Sequence, residues 1–108
     1  MKQRSEPVPS RETSASLKAL AKALAGLQQA GEVAAFLEDL CTPAELEAMA
    51  DRWRVVPLLL QGIAYREIHE RTHVSVTTIG RVARTLERGA GGYAAAVRQQ
   101  HPRLAEST

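Results

Sequence analysis

The sequence predicts an all-α fold built around a helix-turn-helix. Three observations carry that prediction. Apolar residues recur at alternating spacings of three and four in long stretches, the period of one helical face. Thr42-Pro43-Ala44-Glu45 is a compact helix-start signal. Tyr65 to Leu86 reads as two short helices around a sharp turn, the arrangement whose second helix enters the DNA major groove.

From the start, Met1 to Ser10 is polar, carries Pro7 and Pro9, and reads as a disordered arm with only Lys2 and Arg4 as positive side chains. Arg11 to about Gln29 is rich in Ala, Leu, Lys and Gln. Its Leu17, Leu20, Leu24 and Leu27 form one stripe. Gly31 is the expected stop, and a second helix follows from about Glu32 to Leu40 with Val33, Phe36, Leu37 and Leu40 inward. Nothing in the first helix covers its own leucines. The 108-residue chain is 44% hydrophobic but only 4% aromatic, and much of the remainder is alanine, which buries little area. A chain of this kind gains burial by pairing with a second copy.

Thr42 at the N-cap, Pro43 at the first helical position and Glu45 at the third make a capping box with a pre-set backbone angle. The helix they start is expected to reach about Gln61. Leu46, Met49, Trp53, Val56 and Leu60 form a heptad-like seam along it, with a local kink at Pro57. Gly62 is a natural terminator, and Ile63 and Ala64 lead into the helix-turn-helix.

There, Ile68 and Thr72 share a face, Thr72-His73-Val74 breaks the period, and Ser75 is placed to cap the next helix. Ile79, Val82 and Leu86 make that helix's inner face, with Val74 plugging the gap. Ser75, Val76, Thr77, Thr78 and Gly80 are small residues at its start, suited to close approach to base edges. Arg81, Arg84 and Arg88 recur on one side, and Arg66 is placed to reach a phosphate. The plain alternative is an ordinary corner of two helices with a solvated Arg row. Gly89, Gly91 and Gly92 then permit a bend, a last helix runs from about Tyr93 to Gln100, and Pro102 ends it ahead of a frayed tail. The expected organisation is thus an arm at 1–10, a helical domain at 11–101 with the helix-turn-helix at 65–86, and a tail at 102–108.

Formal net charge is +2, compatible with nucleic acid without arguing for it. Cys41 is the sole cysteine, so no intrachain disulfide forms and a reducing cytoplasm is expected. No apolar run approaches a membrane span, and the first ten residues lack the apolar core of a secretory signal. His69, His73 and His101 are too scattered for a helical metal pair, and neither a phosphate-cradling loop nor a nucleophile elbow is present. The sequence therefore speaks against an enzyme and against a metal site.

Leu40 to Tyr93 resembles the tryptophan repressor family, through CTPAELEAMADRWRVVPLLLQG, YREIHERTHVSVTTIGRV and the GAGGY ending. It is most similar to the YerC/YecD-type branch. The resemblance implies an intertwined all-α homodimer that presents two recognition helices to successive major grooves of an operator. It also implies that Thr42, Arg52, Arg81 and Thr85 occupy the corepressor positions, with L-tryptophan as the candidate. Arg52 and Arg81 would flank the indole, and Arg81 would also meet the carboxylate. Four features depart from the pattern. Val82 stands where the tryptophan-binding members have glycine, and the linker after Gly62 is one residue shorter. His73 replaces a glycine in the turn, and His69 replaces a small residue, which should loosen the helix packing. The readings that follow are a DNA-binding repressor under corepressor control, a ligand-independent DNA-binding regulator, and a helical dimerisation module that turns its Arg row to a protein partner.

Overall fold

The computed structural model describes residues 10–106. Among them the secondary structure is entirely helical: α1 (Ser10–Gly26), α2 (Ala30–Leu40), α3 (Pro43–Leu60), α4 (Tyr65–Thr72), α5 (Val76–Arg88), α6 (Gly92–Gln100) and α7 (Pro102–Glu106). No helix among the described residues is long and apolar enough to cross a membrane. The chain divides into two compact units, one ending at Cys41 and the other beginning at Thr42.

The first unit holds α1 and α2. The expected disordered arm lies outside the described residues, except for Ser10, which opens α1. α1 stops at Gly26 rather than continuing to Gln29, and Gly31 falls inside the first turn of α2 instead of ending α1. The reason is local. Gln29 takes an extended conformation, and its carbonyl accepts from the Glu32 and Val33 amides, so the new helix starts two residues early. Its side chain makes no capping bond. Among the unit's described residues no side chain is buried: Leu20, Leu24 and Leu27 are half-buried, and Leu17 is 65% exposed.

The second unit contains the core. Val55, Val56, Ile68, Val74, Ile79, Val82 and Val97 are buried, ringed by Trp53, Leu58, Leu59, Leu60, Ile63, Leu86, Tyr93, Leu104 and Ala105. α3 packs against α4, α5 and α6, α4 packs against α5, and α6 against α7. α3 begins as expected: the Thr42 hydroxyl accepts from the Glu45 amide at 3.2 Å, and the Glu45 carboxylate accepts from the Thr42 amide at 2.8 Å. That amide bond, then the Thr42 hydroxyl, holds the Glu45 carboxyl below the usual glutamate range. Only the lower half of the anticipated seam is core, since Met49 is exposed and Leu46 half-buried. The helix runs through Pro57 to Leu60. It ends in a Schellman motif: the Gly62 amide reaches the Leu59 carbonyl and the Ile63 amide the Leu58 carbonyl, with Gly62 at φ +78°. The apolar residue after the glycine, Ile63, packs on the core and fixes the entry into α4.

Within the expected frayed tail, residues 102–106 form a helix, and 107–108 lie outside the described residues. Pro102 starts a helix instead of merely ending one, because a proline at the first helical position has no amide to leave unpaired. Leu104 and Ala105 then pack on the core. Trp53 lies at the core edge with its ring centroid 6.2 Å from that of His101.

Candidate nucleic-acid interface

α4, the three-residue turn and α5 reproduce the anticipated helix-turn-helix. Ile68, Ile79 and Val82 are fully buried, and Val74 plugs the gap at 4% exposure. The turn needs a left-handed residue, and His73 supplies it at φ +63°, ψ +10°, with its amide bonded to the His69 carbonyl at 2.7 Å. Three side chains then pin this turn. The Thr72 hydroxyl donates to the Ile68 carbonyl at 2.7 Å and accepts from the Val74 amide at 3.1 Å. His69 Nδ1 donates to the Val74 carbonyl at 2.7 Å, so His69 ties the turn down where loosening was expected. Arg54, on α3, donates to the Thr72 carbonyl at 2.5 Å. The Arg54 bond satisfies the Thr72 carbonyl, which the end of α4 would otherwise leave open. Arg71 pairs with Glu67 one turn back on α4.

Ser75 caps α5. Its hydroxyl accepts from the Thr78 amide at 3.1 Å and donates to the Thr78 hydroxyl at 3.0 Å. Both hydroxyls are thereby engaged, and Thr78 is half-buried. The open surface at the start of α5 is therefore Val76, 50% exposed, and Thr77. An exposed valine beside a threonine offers methyl groups of the kind that read a thymine methyl. Arg66, Arg81, Arg84 and Arg88 are exposed, and among the described residues none of their side chains makes a hydrogen bond or ion pair. Unpaired guanidiniums around a helix of this kind can meet phosphates or guanine edges. Gly80 does not belong to that open surface, because it is buried: a Cβ there would lie 3.4 Å from an Arg84 guanidinium nitrogen and 3.9 Å from the Tyr65 ring.

A Trp repressor protein family model matches residues 15–101. The chain belongs to the Trp repressor family. The protein YerC of Bacillus subtilis (strain 168), itself uncharacterised, is 35% identical over 77 residues, spanning 71% of this chain and 74% of YerC. A crystal structure from Staphylococcus aureus, described as that of a candidate Trp repressor, superposes with a TM-score of 0.74 at 31% identity, covering 80% of this chain and 86% of the other.

The positions that this family resemblance assigned to a corepressor look different from one another. The Thr42 hydroxyl is taken up by the capping box, and the Thr85 hydroxyl donates to the Arg81 carbonyl at 3.0 Å. Arg52 is half-buried and Arg81 exposed. Thr42, the N-cap of α3, and Arg52 stand ten residues apart, roughly 15 Å at the helical rise. A cavity of about 320 Å³ opens elsewhere, between Leu60, Leu86, Glu87, Ala94, Val97, Arg98 and Ala105. None of the four Trp repressor-type positions lines it. Residue patterns did not point to Arg54 or Tyr65 as parts of the interface. Arg54 meets Thr72 across 18 positions of sequence, and no local spacing encodes such a contact.

Proposed function

We propose that this Trp repressor family member is a sequence-specific DNA-binding transcription regulator that works as a homodimer and reads its operator through α5. The observation that carries the reading is the surface of α5 and the first turn of α4: Thr77, Arg81 and Arg84 with Arg66, exposed and unpaired, on a helix whose turn is pinned from three sides. Arg81 and Arg84 supply charge, Thr77 and Val76 supply base-edge contacts, and the Ser75–Thr78 cap holds the first turn of the helix that carries them. The homodimer reading is supported by the uncovered leucines of α1, because α1 and α2 bury no side chain within one chain. Family membership supports both parts. Binding to mixed-sequence duplex at increasing salt is the test. Affinity should fall steeply with salt, and Arg66→Ala should weaken all sequences alike while flattening the slope by about one. Salt-independent binding, or no duplex binding at low salt, would leave the Arg row to a protein partner.

Control by a corepressor is a second reading, favoured by the unpaired guanidiniums of Arg52 and Arg81. L-tryptophan is its candidate ligand, with Thr42 and Thr85 as the other contacts. Such a ligand acts only by binding one spacing of the two recognition helices better than another. Against it stands Val82, fully buried where the tryptophan-binding pattern has glycine. We therefore favour a regulator that binds DNA without a ligand.

A further inference from the structure

Gly80 is a glycine in the middle of a helix, in ordinary helical conformation, where alanine would make a better helix. No core side chain presses on it. The only atoms near a Cβ placed there are an Arg84 guanidinium nitrogen at 3.4 Å and Cε2 of the Tyr65 ring at 3.9 Å. Both belong to exposed residues, and the Arg84 side chain makes no hydrogen bond or ion pair among the described residues. A helical side chain leans toward the N-terminus and covers the turn before its own Cα, so Arg84 lies over residue 80. Tyr65, the first residue of α4, comes over the same point from the neighbouring helix with the hydroxyl-bearing end of its ring.

We propose that Gly80 and Tyr65 are positioning residues for Arg84: the missing side chain makes a shallow seat, and the Tyr65 ring walls it. The seat holds the Arg84 guanidinium flat against α5 beside Thr77 and Arg81. An arginine held in one place loses less freedom when it meets a phosphate than one that sweeps through solvent. Gly80 and Tyr65 thus shape the duplex-reading surface without Gly80 touching DNA. This rests on the reading of α5 as the recognition helix.

The experiment measures binding of the full chain to a short mixed-sequence duplex across a salt series, together with thermal melts. Gly80→Ala should melt at or several degrees above the parent, because only the flexible end of Arg84 must move. Its affinity should nevertheless drop several-fold, with a salt slope smaller by about one, as for Arg84→Ala. Adding Gly80→Ala to Arg84→Ala should cost nothing more. Tyr65→Leu should reproduce the loss with α5 untouched, and Tyr65→Phe should retain parent binding because the ring does the holding. A well-folded Gly80→Ala that binds like the parent overturns the seat, as do losses that multiply in the double variant or a Tyr65→Leu that binds normally. A parent that binds no duplex at low salt overturns the recognition-helix reading itself, and the seat with it.

Discussion

Replacing Val82 with glycine tests the core and the ligand question together. Val82 has no exposed surface, and it packs with Val55, Val56, Ile68 and Ile79. Removing its side chain forfeits about 1.5–3 kcal/mol of burial. Glycine in place of valine inside a helix costs roughly another 0.5 kcal/mol. The sum, about 2–3.5 kcal/mol, should lower the melting temperature by roughly 10–25 °C for a domain of this size. Melts must be compared at one protein concentration, because a dimer's midpoint depends on it. The substitution also restores the space that the tryptophan-binding pattern has. If that space is a ligand slot, L-tryptophan at a hundredfold excess over its Kd should return about 2.7 kcal/mol, most of what was lost. Arg52→Ala should abolish that recovery, and calorimetry should register the same binding directly. A Val82→Gly protein that melts with the parent would refute the assignment of Val82 to the core. If neither protein binds any aromatic amino acid while the parent binds duplex DNA, corepressor control is refuted and the regulator acts without a ligand.

Other outcomes follow from the caps and the open stripe. Thr42→Ala should cost about 0.5–2 kcal/mol in chemical denaturation. Because Glu45 is held below its ordinary range in the folded chain, its share of the cap is complete above the normal glutamate titration and is lost as pH falls through the lowered value. Parent and Thr42→Ala should both lose that share in acid, since alanine keeps the residue-42 amide, while the bond from the Glu45 amide to the Thr42 hydroxyl does not titrate and its deficit persists. His73→Gly should stabilise by roughly 0.5–1 kcal/mol, the left-handed penalty of about 1–2 less the extra freedom of unfolded glycine. A lower midpoint would mean that the imidazole contributes more than the turn costs. Leu20→Asp should unfold the protein by breaking the dimer, and sedimentation of the parent as a stable folded monomer at micromolar concentration would sink the homodimer reading.

What was legible in the sequence was what is encoded locally. The capping box and the Ser75 cap each depend on neighbours within about one turn, and the buried Ile68, Val74, Ile79 and Val82 follow the apolar spacing of α4, the turn and α5. Misreadings came where one residue type serves two purposes. Gly31 could end α1 or sit in the first turn of α2, and the extended Gln29 decided for the second. Pro102 could stop α6 or start α7, and the core surface that Leu104 and Ala105 cover decided for starting. Gly80 could be small to admit DNA or small to admit Arg84 and Tyr65, and periodicity alone does not separate the two. The bond from Arg54 to the turn was invisible because its two ends meet only after folding.

The helix-turn-helix has one consequence for how such a protein can be switched. Among the described residues, four of the seven buried side chains, Ile68, Val74, Ile79 and Val82, come from α4, the turn and α5. The Schellman motif at Gly62 leaves almost no slack before α4, and Ile63 is anchored on arrival. The helix-turn-helix is therefore not a module hung from a hinge. It is the greater part of the interior of its own unit, and swinging it away would expose that interior to water. A signal that acts on this protein has little room to work inside one chain. In the proposed homodimer the adjustable quantity would be how two such units are held apart, and that distance would either match the pitch of a DNA groove or not.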